Sequence, residues 1–221
     1  MVGIVVCGLF LQSTYLEALT EQAPGSLLEQ EEYQLAQNYM QKEQWAEAVI
    51  VLKSLKNQNK KKIKYAILLS ESLIYQGRRE EALTSLIQGY SQKGLVQRDK
   101  KELEDKIDVL SRVFLKNQTF QQYQDALSKM IQKKYKKALS KFYLLLSKEP
   151  KNILILTRVG QIHFLLEQYS LASELFLEAR ALNPFRPEVR LWLGRAYYFT
   201  NQNEKAEKEL AFAYKKLSKS E

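Results

Sequence analysis

The chain has 221 residues, 45% of them apolar and 27% charged, with eight glycines and four prolines. These proportions exclude collagen-like and Pro/Gly-rich disordered classes and disfavour an all-β fold, which needs many turns. One cysteine (Cys7) excludes an internal disulfide framework or multi-cysteine zinc site, one histidine (His163) leaves little for histidine chemistry, and a net charge of +9 brings acidic partners into view.

Met1 to Leu11 reads MVGIVVCGLFL and carries no charged side chain. Such a run makes about 16 Å of helix, too short for a bilayer core of roughly 30 Å. Its length and position match the apolar region of a secretory signal, and Ala18 or Ala23 offers a small residue before a cleavage point. A basic leading segment is missing, which an upstream start would explain. The alternative is a buried N-terminal strand or helix of a cytosolic protein. Cys7-Gly8 does not complete a lipoprotein signal, because Val6 is branched and six residues precede the cysteine. Residues 1–23 are therefore read as a signal peptide or apolar N-terminal segment, and Ala23-Pro24-Gly25-Ser26 as a linker.

Beyond the linker the chain repeats itself. Ala138, Ala172 and Ala206 are 34 apart, as are Ala48 and Ala82. Twelve residues before each stands a small residue: Ala36, Ser70, Ala126, Gly160 and Gly194. Four residues after each stands Leu52, Leu86, Phe142, Phe176 or Leu210. Pro150 and Pro184 keep the same step. A small residue on a first helix set against a small residue on a second lets two backbones approach, so Gly160 is expected to face Ala172, and Gly194 to face Ala206. Asn152 and Asn183-Pro184 mark breaks, and Pro187-Glu188 suits a first helical turn. Glu29, Glu31 and Glu32 open a helix, where they complement its dipole.

The step from Ala82 to Ala138 is 56, which is 34 plus 22. The interrupting segment places Leu103, Ile107, Leu110 and Phe114 on one helical face, so an unpaired amphipathic helix is expected there. The predicted organisation is two repeats over 29–96, a connecting helix over 97–118, and three repeats over 119–220.

The stretches WAEAVIVLKSL, REEALTSL, YKKALSKFYLLLSKEP, YSLASELFLEARALNP and NEKAEKELAFAYKKL resemble the tetratricopeptide repeat, a helix–turn–helix unit of 34 residues. Departures are Lys129, where other units carry Tyr39, His163 or Tyr197, and Gly89 late in the second unit. The resemblance implies an all-α solenoid of antiparallel helix hairpins wound into a right-handed superhelix. It also implies a groove lined by first helices. In the last three units the corresponding positions are Phe120, Tyr123, Leu127, Met130 and Ile131; then Leu154, Thr157, Gln161, Phe164 and Leu165; then Glu188, Leu191, Arg195, Tyr198 and Phe199. This set is largely aromatic and aliphatic, suited to a peptide or helix of a partner protein. Some of these side chains must also pack against neighbouring units. The family's carboxylate-clamp set of Lys, Asn and Arg is missing, which disfavours an acidic C-terminal tail. The groove is similar to that of repeat-type chaperones of type III secretion, but those lack export signals.

The chain contains no G-x-x-x-x-G-K-[ST], G-x-S-x-G or H-E-x-x-H motif. His163 falls at a helix-packing position. The expected function is a non-enzymatic scaffold or adaptor, without cofactor or metal, in a bacterial envelope complex. The rivals are a cytosolic chaperone for a secreted client and a nucleic-acid-associated module. Lys60, Lys61, Lys62 and Lys64, with Lys133, Lys134, Lys136, Lys137 and Lys141, form two basic clusters. They fit a solvated rim first, then an anionic membrane surface or acidic protein; nucleic acid is disfavoured because no stacked-aromatic motif accompanies them.

Overall fold

The computed structural model describes residues 27–218, and all regular structure among them is helical. The apolar start, Cys7 included, lies outside the described residues. The helices are α1 (Leu27–Gln41), α2 (Trp45–Gln58), α3 (Ile63–Tyr75), α4 (Arg79–Tyr90), α5 (Gln97–Arg112), α6 (Asn117–Ile131), α7 (Tyr135–Lys148), α8 (Ile153–Leu165), α9 (Tyr169–Leu182), α10 (Pro187–Phe199) and α11 (Asn203–Leu217). The pairs α1–α2, α3–α4, α6–α7, α8–α9 and α10–α11 pack as hairpins. The chain forms two compact units, divided between Leu110 and Ser111. The hairpins have the tetratricopeptide-type architecture that the sequence resemblance implies.

One turn geometry closes all five hairpins. Glu43, Gly77, Lys133, Glu167 and Asn201 hold φ between 56° and 75°. At the first of them the Glu43 amide donates to the Met40 carbonyl at 3.1 Å and the Gln44 amide to the Tyr39 carbonyl at 2.9 Å. The same pair of bonds recurs at Gly77-Arg78, Lys133-Lys134, Glu167-Gln168 and Asn201-Gln202. This left-handed cap satisfies carbonyls that the end of a first helix would otherwise leave open.

The repeated alanines are interior: Ala48, Ala82, Ala138 and Ala172 are fully buried, and Ala206 is 3% exposed. Gly160 departs from expectation, while Gly194 meets Ala206 as expected and Leu210 besides. A Cβ on Gly160 would lie 2.7 Å from Cε1 of Phe176, so the ring, not Ala172, fills the notch. A Cβ on Gly194 would meet Cγ of Leu210 at 2.7 Å and the Ala206 carbonyl oxygen at 3.2 Å. The side chain four residues past each alanine is therefore what the glycine admits.

In the first unit, α5 stands outside the hairpins and packs on them through its side chains. Leu103, Ile107 and Leu110 are buried, the Glu104 carboxylate accepts from the Tyr90 hydroxyl of α4 at 3.1 Å, and Lys106 meets Glu71 of α3 at 2.9 Å. Phe114 does not continue that helix. It follows the end of α5 and packs its ring on Phe120 and Tyr123 at 5.4 and 5.2 Å. Glu29 does more than complement a helix dipole. It is buried, pairs with Lys62 at 2.6 Å and accepts from the Tyr65 hydroxyl, tying α1 to α3. Burial and that bond hold the Tyr65 hydroxyl well above the usual phenol range.

Burial also raises the Glu71 carboxyl above the usual carboxylate range, and Lys106 offsets this in part. A folded-state pKa above the unfolded one means that the folded chain binds more protons between the two values. The stability tied to this group is then fullest below the ordinary value of about 4.3 and declines as pH rises through the raised value. Denaturant titrations from about pH 4 to about pH 7 should show Glu71→Gln gaining on wild type as pH rises. A constant gap would contradict the raised value.

The second unit holds two apolar clusters. One joins Tyr123 and Ala126 of α6, Phe142 and Leu145 of α7, and Val159 of α8. The other joins Phe176 of α9, Leu193 and Tyr197 of α10, and Ala206 of α11. Buried charges link elements around them. Glu209 of α11 pairs with Arg180 of α9 and, at 2.9 Å, with Arg190 of α10. Asn152 caps α8 by accepting from the Leu154 amide at 3.0 Å, and Pro187 opens α10.

Candidate functional site

The first helices α3, α8 and α10 each pack on their own second helix and on the second helix of the hairpin before. The positions that the resemblance assigned to a groove divide accordingly. Tyr123, Thr157 and Gln161 are buried. The Tyr123 ring lies 5.8 Å from Phe142, and its hydroxyl oxygen is 3.4 Å from Nε of Arg158. The Thr157 hydroxyl donates to the Ile153 carbonyl at 2.6 Å, and the Gln161 amide oxygen accepts from Arg158 at 2.7 Å. These three side chains are committed to the interior and do not line a binding surface. Leu127, Met130, Phe164 and Leu191 are half-buried, and Arg195, Tyr198 and Phe199 are exposed.

The exposed members gather where α8 and α10 approach the starts of their second helices. The Phe164 ring lies 5.1 Å from Tyr169, 5.4 Å from Trp192 and 5.5 Å from Phe199. Tyr169 and Phe199 stack at 4.6 Å, and Tyr198 meets Phe199 edge-on at 5.6 Å. The Arg195 guanidinium sits 5.1 Å from the Trp192 ring. Within this cluster Tyr198 is 62% exposed and Phe199 52%, and Leu165, next to Phe164 in sequence, is 48% exposed. Phe164 and Tyr198 are one repeat apart yet not equivalent, because Phe164 is covered by the next hairpin's Trp192 and Phe199. Tyr169 and Trp192 were not among the sequence-assigned groove positions. Both are legible only as aromatics, and their part in holding Phe164 and Phe199 depends on packing between hairpins.

His163 is buried between a hydroxyl and an amide. Its Nε2 lies 2.8 Å from the Tyr143 hydroxyl and its Nδ1 2.6 Å from the Gln168 amide oxygen. The amide oxygen accepts, so Nδ1 carries the proton and Nε2 accepts from Tyr143. The ring thus ties α7 to α8. Among the described residues no group of three or more His, Cys, Asp and Glu is placed to hold a metal, and no helix is long and apolar enough to cross a membrane.

The basic clusters are partly engaged. Lys141 pairs with Asp125 at 2.7 Å, Lys62 with Glu29, and Lys64 lies 4.3 Å over the Tyr33 ring. Burial and the neighbouring Lys62 charge lower the Lys64 ammonium. Lys133, Lys134, Lys136 and Lys137 are exposed at the turn and start of α7.

No family model matches the chain, and no curated protein matches it. Similar solved structures include one described as MamA RS-1 ArsTM double mutant, 16% identical, covering 90% of this chain and 98% of that one at a TM-score of 0.43. Another, MamA MSR-1 C2, is 16% identical over 89% of this chain and 100% of that one, at a TM-score of 0.40.

Proposed function

We propose that this protein is a non-enzymatic interaction scaffold that holds a peptide or helix of a partner protein on the first-helix face of its last two hairpins. The observation that carries this reading is the aromatic cluster that exposes Tyr198 and Phe199 while Phe164 and Tyr169 pack against Phe199 and Trp192 against Phe164. Grouped apolar side chains in water are costly unless something covers them, and rigid aromatics with a polar tip are suited to anchoring a peptide. Arg195 adds a cation at the edge for a carboxylate or backbone carbonyl. The apolar run Met1–Leu11 favours an exported or envelope-associated scaffold over a cytosolic chaperone. N-terminal sequencing of the mature chain tests that location, which a start at Met1 would contradict.

The binding surface is tested on the partner captured by crosslinking the native protein. Leu165→Ala with Tyr198→Ala should weaken its binding about thirtyfold while leaving helical content intact, since both side chains are exposed. Lys136→Gln with Lys137→Gln should change mainly the association rate and its salt dependence. The reverse pattern would move the site to the basic surface.

A further inference from the structure

The apolar face of the second unit does not stop at α8 and α10. The first helices α6, α8 and α10 run the same way, because an antiparallel second helix joins each to the next, and α8 touches both of the others. Ile131, Leu165 and Phe199 are the last residues of these three helices and stand 34 apart, so they hold the same place on each. All three are open, at 73%, 48% and 52% exposure. Ile131 also borders a groove of about 240 Å³ on α6, together with Leu127, Gln124 and Gln132.

Charge gives this ladder a direction. Past Ile131 the chain turns through Lys133 and Lys134, both exposed. Neither forms an ion pair among the described residues, whereas Lys129 and Lys141 share Asp125. The turns after Leu165 and Phe199 carry Glu167 and Glu204 instead, so the basic excess lies at the Ile131 end. The surrounding field has the same sign. Residues Ser111–Glu221 hold 20 Lys and Arg against 10 Asp and Glu, while the first unit holds 14 against 15. The net charge of +9 therefore arises in the unit that carries the aromatic face, which favours an acidic occupant.

We propose that the partner segment on the aromatic face continues along this ladder, over Leu165 and Ile131, and ends in carboxylates set on Lys133 and Lys134. This rests on the peptide reading above and adds the partner's chemistry to it. Packed helices lie roughly 8–10 Å apart, and a polyproline II chain rises about 3.1 Å per residue with about three residues per turn. An extended segment with an apolar side chain at every third position therefore meets one rung per turn. Lys136 and Lys137, inside α7, add to the field only. Fluorescence anisotropy of the full chain tests this with short labelled peptides that carry leucine at three successive third positions and a glutamate pair at one end or the other. One of the two should bind saturably, and its glutamine counterpart about fivefold more weakly at low salt. That difference should vanish in Lys133→Gln with Lys134→Gln, and Ile131→Ser should weaken both peptides about tenfold. No saturable binding, equal binding of the glutamate and glutamine peptides, an unaffected Ile131→Ser chain, or lysine-dependent binding of phosphatidylglycerol vesicles in place of the peptides would overturn the proposal. Equal binding that Tyr198→Ala still weakens would leave the aromatic reading standing. Loss in Ile131→Ser with none in Tyr198→Ala would overturn that reading, and the proposal with it.

Discussion

Gly160→Leu is expected to destabilise the second unit by about 1–3 kcal/mol or more. The reason is local and steric. Even a methyl group at this position would stand 2.7, 3.0 and 3.1 Å from three carbons of the Phe176 ring. That ring is fully buried and stacks on Trp192 at 6.2 Å, so it has little room to give. The clash therefore separates α8 from α9. Because repeats couple mainly to their neighbours, loss of hydrogen-exchange protection should centre on residues 153–217. Gly160→Ala combined with Phe176→Leu should recover part of the loss, since the smaller side chain vacates the space the methyl needs. A Gly160→Leu chain with an unchanged denaturation midpoint would refute the packing described.

Glu149→Ala should cost about 2–3 kcal/mol, comparable to loss of a helix cap together with a buried bond. Glu149 is fully buried at the end of α7, and one of its oxygens accepts from the Leu115 amide at 2.7 Å and the Lys116 amide at 3.3 Å. The Thr119 hydroxyl lies 2.7 Å from the same oxygen. Lys116, the residue preceding α6, supplies no side-chain cap of its own. Removing the carboxylate strands these donors in the interior. Glu149→Gln keeps an acceptor oxygen and should lose less than half as much. Thermal unfolding monitored by circular dichroism distinguishes the three chains, and equal losses for Ala and Gln would exclude the capping role.

The reasons that part of this architecture was legible in the sequence, and part was not, are physical. The alanines at 34-residue steps are interior because a helix hairpin needs a small residue at its closest approach, and that demand repeats with the fold. Helix boundaries followed from Asn152 and Pro187, whose effects are local. The hairpin turns were less visible. Gly77 is the one glycine among five left-handed turn residues, and Glu43, Lys133, Glu167 and Asn201 take the same conformation without advertising it. Glu149 looked like a charge at the end of a helix. Its partners are about 30 residues away in sequence, and only the folded hairpin brings Leu115 and Thr119 to it.

The candidate site shows the same limit. A repeat register places Tyr123, Thr157 and Gln161 on the same helix face as Tyr198, because periodicity is a property of one helix. Which of them stays open depends on neighbouring side chains. Arg158 reaches both Tyr123 and Gln161, and Phe142 covers Tyr123. The exposed anchors are those at the ends of the first helices.

Replacing Tyr198 by the photocrosslinking residue p-benzoylphenylalanine, with Lys136 substituted in parallel as a control, tests the scaffold most directly. Illumination of the native assembly should join the partner protein to position 198 and not to position 136. Crosslinking at 136 with none at 198 would contradict a partner held on the aromatic face of α8 and α10.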